Sequence, residues 1–259
     1  MLKAQNIVII LSVVLVALLY FGFDHKPKNI KDLEKTRSQN LEVTSIDNLL
    51  ISARNKLSVE QNTILQNLKS DADKAEGSEK ADVLKNYAST WYDYGFPTIS
   101  GYYAEEVAKL INDADSWSIA GTTYLLAIKS ESDEVTKDFA ADKAVKAFEN
   151  ARSLDPQQLD FQINEALVYV ERPLKEEPMK GILMLRDLNN KYPENTAVMN
   201  QLARLALQTN QLDRAVERLE TVLKLEPENQ MAHCLMAEVY DRKGNSELRD
   251  QYLATCNKK

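Results

Sequence analysis

The 259 residues leave room for one elongated domain or two compact ones, and 27% charged with 44% hydrophobic residues is ordinary for a folded chain. Seven glycines and seven prolines are few for a protein of short strands and tight turns, so the composition favours helices. The net charge of −7, with no basic stripe, argues against the phosphate neutralisation that nucleic-acid binding requires.

After a short tail at 1–6, residues 7–23 read IVIILSVVLVALLYFGF without a charge. At about 1.5 Å per residue such a helix spans roughly 26 Å, the short end of what crosses a hydrocarbon core. The expected element is an uncleaved transmembrane anchor. Its rival, a cleaved signal peptide, would need small residues in A-x-A spacing, and Leu19 to Phe23 supplies none. Lys3 against Lys26, Lys28 and Lys31 would put the following domain in the cytoplasm. A very short tail ahead of an apolar run behaves instead like an export signal, and an extracytoplasmic (periplasmic) placement is the reading preferred. Residues 24–43 form a charged linker that also holds His25.

A two-helix segment is expected at 44–77. Thr44 with Asp47 resembles a capping box, followed by Ile46, Leu49, Leu50 and Leu57 on one face. Ser58 with Gln61 repeats the signature ahead of Val59, Ile64, Leu65 and Leu68, and Gly77 is expected to end that helix.

Beyond it the chain repeats itself. LDPQ at 154–157, YPEN at 192–195 and LEPEN at 225–229 place Pro156, Pro193 and Pro227 at intervals of 37 and 34 residues. Each proline follows a helix-like stretch and stops it, since it cannot donate the next backbone bond. A period in the thirties means stacked helical hairpins. The expected fold is all-α: a transmembrane helix, then an α-solenoid of antiparallel hairpins over 79–259, at about 80–112, 114–156, 159–193, 196–227 and 230–256.

These residues resemble the tetratricopeptide-repeat (TPR) family, and bacterial single-pass membrane-anchored TPR proteins in particular. Segment 196–229 has the family's 34-residue length, with Leu202 and Ala203 in its first helix and Ala215, Leu219, Val222 and Pro227 in its second. Trp117, Ala120, Gly121 and Tyr124 reproduce the family's W-x-x-L-G-x-x-Y spacing, with Ala144, Phe148 and Ala151 after an eleven-residue insertion. Ala166, Tyr169, Gly181, Leu185 and Leu188 carry another unit, in which Gln162 and Glu165 fall where apolar residues are usual. Met236, Ala237, Tyr240 and Gly244 mark the last, with Arg249 where alanine is expected. Leu84, Ala88, Trp91, Gly95, Ala104, Ala108 and Ile111 resemble a degenerate unit.

The resemblance implies protein or peptide binding on the concave face, through positions five, nine and twelve of each first helix. Carried over, these are Ser118, Thr122 and Leu125; Ile163, Leu167 and Val170; Asn200, Arg204 and Leu207; and Cys234, Glu238 and Asp241. A lining that turns from apolar to polar suits an amphipathic helix or an extended segment. The family's carboxylate clamp is not reproduced, because Ile163, Leu167, Gln201, Met231 and Leu235 stand at its positions. Two function classes follow: a membrane-tethered adaptor or chaperone-like module, or a constitutive structural subunit of a membrane-associated complex.

Catalysis has no residues to carry it. Two histidines, no H-E-x-x-H and no phosphate loop leave no expected catalytic residue, metal, cofactor or small-molecule substrate. Glu105–Glu106 and Glu176–Glu177 are expected to be solvated charges. Cys234 and Cys256 are expected to be free thiols, because packed helix axes lie about 8–10 Å apart while a disulfide needs Cα atoms about 4.4–6.8 Å apart.

Overall fold

The computed structural model describes residues 45–257. The chain divides into Met1–Asn48, of which only residues 45–48 are described, and Leu49–Lys259. The anchor expected at 7–23 and the linker at 24–43 lie outside the described residues. No helix among the described residues is long and apolar enough to cross a membrane.

Twelve α-helices and no strand make up the described residues. They are α1 (Ile46–Arg54), α2 (Val59–Lys74), α3 (Gly77–Asp93), α4 (Pro97–Ile111), α5 (Ala114–Ser130) and α6 (Glu134–Leu154), then α7 (Leu159–Glu171), α8 (Lys180–Lys191), α9 (Thr196–Gln208), α10 (Leu212–Leu225), α11 (Gln230–Arg242) and α12 (Ser246–Cys256). From α2 to α12 each helix packs on the next. Contacts of α5 with α7, α9 with α11, and α4 with α6 set odd and even helices in two layers.

Local chemistry places the breaks. Helices α6, α8 and α10 each stop two residues before proline, and the residue between (Asp155, Tyr192, Glu226) has φ of −134°, −130° and −132°. Steric conflict with the proline ring drives that residue out of the helical region. Two residues after Pro193 and Pro227, Asn195 and Asn229 accept from the amides of Val198 and Ala232 and so cap α9 and α11. The repeated Pro-Glu-Asn thus ends one helix and starts the next. Turns inside the hairpins are alike as well: Gly95, Asn210 and Gly244 have φ of 84°, 57° and 73°. The amide after each reaches back to Trp91, Ala206 and Tyr240, closing the outgoing helix.

The Ser58–Gln61 capping box is present in both directions. Thr44 lies outside the described residues, and the Asn48 amide donates to Ser45 Oγ. Leu57 falls in the turn after α1, and Val59 and Ile64 are exposed, so α2 joins the core through Leu65 and Ala72. Gly77 opens α3 rather than ending α2, which stops at Lys74. The insertion between Tyr124 and Ala144 lengthens both helices, to 17 and 21 residues.

Close crossing needs small residues. A Cβ on Gly181 would stand 2.4 Å from the carbonyl oxygen of Ala166, a backbone atom that cannot swing aside. Around such crossings the core is continuous: Phe148, Ala144, Ala166, Leu185 and Leu202 in one cluster, Ala215, Leu219, Val222 and Met236 in the next. Ile111, expected to complete a repeat, is exposed at the end of α4.

The free thiols expected at Cys234 and Cys256 are instead a disulfide, with Cα atoms 4.8 Å apart. The error lay in equating axis separation with Cα separation. Each Cα stands about 2.3 Å off its axis, so residues facing one another across a gap of about 9 Å come within roughly 4–5 Å. Cys234 faces α12 and not a groove.

Candidate concave binding face

The residues carried over for the concave face divide by burial. Leu125, Ile163 and Leu167 are buried in the cluster that joins α5 to α9, and Val170 is half-buried against it. Leu207 is buried in the next cluster, and Asn200 is 3% exposed. They pack inward because neighbouring odd-numbered helices touch, covering one flank of each first helix. Ser118 and Arg204 are half-buried; Thr122, Glu238 and Asp241 are exposed. Glu238 pairs with Arg242, and Asp241 with Arg249 at 3.2 Å. Arg249 therefore has a partner at the position where alanine was expected.

What stays open is a stripe on α5, α9 and α11, whereas α7 has Asp160 as its one exposed residue. On α5 it consists of Ile119, Thr122 and Leu126, at helical spacing on one face, with Ile119 62% exposed. Tyr92 is exposed on α3. On α9 the stripe runs through the half-buried Gln201 and Arg204 and the exposed Gln208, and on α11 through Met231, Glu238 and Asp241. Sequence reasoning missed Ile119, Leu126 and Tyr92. Ile119 and Leu126 are seven residues apart, a one-face spacing that the residues alone could have revealed.

Around α9 and α11 the capping residues extend into a polar relay. Thr196 Oγ1 and Asn229 Nδ2 donate to the two oxygens of Glu226, at 2.7 and 2.6 Å. These two donors hold the Glu226 carboxyl below its usual pKa, outweighing the small opposing effect of burial. Asn229 Oδ1 accepts from the Ala232 amide at 2.9 Å and from Asn200 Nδ2 at 3.1 Å. Asn200 Oδ1, Gln201 Oε1 and Arg204 Nε are buried with no hydrogen-bond partner among the described residues.

Other polar residues serve the scaffold. Glu105, expected to be solvated, is 8% exposed and accepts from the Tyr124 hydroxyl and from Lys143. Burial would raise its carboxyl pKa, but hydrogen bonds from Lys109 and Lys143 bring it below the ordinary value. Glu165 is buried beside Arg152, and burial pushes its carboxyl up. His233 Nε2 donates to the Pro227 carbonyl and its ring lies 5.6 Å from that of Tyr252, so it is packed between α11 and α12. His25 lies outside the described residues. No group of three His, Cys, Asp or Glu among the described residues could hold a metal ion.

Comparison with known proteins gives one family match, over part of the chain. Residues 181–239, from α8 to α11, match the family model described as tetratricopeptide repeat. No curated protein matches the chain. Among solved structures, a crystal structure of MamA is 14% identical, covering 65% of this chain and 91% of that one, with a TM-score of 0.39. The "MamA 41-end from Desulfovibrio magneticus RS-1" is 16% identical, with 68% and 92% covered and a TM-score of 0.38. YrrB, titled "a TPR protein with an unusual peptide-binding site", is 18% identical, with 68% and 84% covered and a TM-score of 0.36. The matched segment carries the Pro-Glu-Asn repeat and is built of helical hairpins, similar there to tetratricopeptide repeats.

Proposed function

We propose that this chain is a membrane-tethered protein-binding module, held by residues 7–23, that takes a segment of another protein along the open stripes of its first helices, above all that of α5. The observation that carries this reading is the stripe Ile119, Thr122 and Leu126, which no helix among the described residues covers although the chain buries its other large apolar residues on α5. The helical-repeat scaffold supports it, since stacked hairpins create extended binding surfaces. The Cys234–Cys256 bridge supports a periplasmic or otherwise extracytoplasmic placement, because disulfides persist in oxidising compartments.

The test is crosslinked capture from carbonate-washed membranes carrying the full chain, read by mass spectrometry. Ile119→Asp with Leu126→Asp should lower recovery of the partner at least about tenfold, by loss of buried apolar contact. Leu183→Asp with Leu225→Asp, on exposed positions of α8 and α10, should not. Equal recovery from both double variants would move the binding surface elsewhere. Release of the chain by carbonate would remove the anchor, and a stoichiometric companion surviving detergent would favour the structural-subunit reading.

A further inference from the structure

Helix α12 buries no residue fully, and the bonds that fix it reach α11. Tyr252 stacks on Tyr240, Gln230 donates to the Cys256 carbonyl, Arg249 pairs with Asp241, and Cys234 is bridged to Cys256. Both cysteines are half-buried, within reach of a small thiol. The turn that folds α12 back is Lys243, Gly244 and Asn245. Gly244 has φ of 73°, its amide donates to the Asp241 carbonyl, and that of Asn245 donates to Tyr240. Asn245 then caps α12 by accepting from the Leu248 amide. One left-handed residue therefore reverses the chain. With Gly244 in the right-handed region, α11 and α12 continue as a single helix from Gln230 to Cys256, and regular helical bonds replace those of the turn.

Two such straightened helices, packed antiparallel about a two-fold axis, reproduce the contacts of the closed hairpin. The α11 of each copy runs beside the α12 of the other, in opposite directions, with the former turns at the centre. Tyr240 of one copy meets Tyr252 of the other, and Cys234 meets Cys256, twice by symmetry. We infer that the face of α11 carrying Cys234 and Tyr240 is also a docking surface for a second copy of this chain, which supplies its α12 by exchange once the bridge opens. Opening is thiol–disulfide exchange: a small dithiol gives two electrons and two protons to Cys234 and Cys256 and leaves as its own cyclic disulfide. A small disulfide reverses the step, leaves as two thiols, and closes the bridge within one copy or between two. The closed bridge latches α12, so exchange belongs to the reduced chain. Copies held in one membrane by residues 7–23, as proposed above, would meet at a raised effective concentration.

The experiment mixes the full chain in detergent in a light and a nitrogen-labelled heavy form. A small dithiol opens the bridge and is removed, a small disulfide closes it, and digestion without reduction reads which cysteines are joined. Bridges between Cys234 of one form and Cys256 of the other should rise at least about tenfold over the same mixture never reduced. They should exceed light–heavy pairs of like cysteines by about as much, because only the antiparallel exchange brings unlike ones together. Gly244→Ala disfavours the left-handed turn and favours the straight helix. At a dilution where mixed bridges are few, it should raise them at least about fivefold. Bridges that re-form within each isotopic form alone, or like pairs as frequent as unlike ones, would overturn the exchange. So would mixed bridges that Gly244→Ala lowers or leaves unchanged. Each of these outcomes leaves binding on the concave face standing.

Discussion

Breaking the Cys234–Cys256 bridge tests the packing of the last described hairpin most directly. Helix α12 contains no fully buried residue. Besides the bridge, it is held by Tyr252 stacked on Tyr240 at 5.6 Å, by Gln230 donating to the Cys256 carbonyl at 2.8 Å, and by the exposed Arg249–Asp241 pair. Eleven residues make an isolated helix marginal in water, so covalent attachment matters. The bridge closes a loop of sequence separation 22. Loop-closure entropy for that length is about −11 cal/mol/K, or about 3.4 kcal/mol at room temperature. In a stacked-hairpin scaffold the loss should stay local. With Cys234→Ala and Cys256→Ala, amide exchange across α12 should accelerate by up to roughly 300-fold, while α7 is unchanged. Hydrogen exchange by mass spectrometry reads both regions in one experiment. Equal exchange of α12 with and without the bridge would refute the reasoning, as would two thiols that alkylate in unfolded protein without reductant.

Two further perturbations probe the scaffold. Gly181→Ala would set a methyl 2.4 Å from the Ala166 carbonyl oxygen, and should cost about 1–3 kcal/mol in thermal melts; unchanged melting would mean α7 and α8 do not cross this closely. Glu105→Gln should destabilise the chain by about 1–3 kcal/mol at neutral pH, because Lys143 and Lys109 lose their carboxylate. Its folded pKa lies below the ordinary 4.5, so this stability is present above that value and is lost as pH falls through the depressed one. The gap between wild type and variant should close with acidification; a gap constant down to pH of about 3 would show that the carboxylate charge is not what matters.

Much of the helix order could be read from residues alone. Pro156, Pro193 and Pro227 stop helices by sterics that act on the residue immediately before them, and Ser58 with Gln61 starts one through bonds spanning three residues. Gly121 and Gly181 stand out because a side chain there would meet Phe148 or the Ala166 backbone. Asn195 and Asn229, two residues after Pro193 and Pro227, are caps of the same local kind, whereas Gln158 after Pro156 makes no side-chain cap. Such signals are local, and the chain carries them wherever it is folded. The rest depends on how far apart two helices lie and how each is rotated about its axis. The burial of Leu125, Ile163, Leu167 and Leu207, the salt bridge of Glu105 with Lys143, and the meeting of Cys234 with Cys256 join residues on different helices. Helical periodicity assigns a residue to a face, but only packing decides whether that face meets another helix or water, because a small rotation exchanges the two. For the same reason the repeat register places Asn200 on the concave side, while packing buries it and turns its amide onto Asn229 of the next first helix's cap.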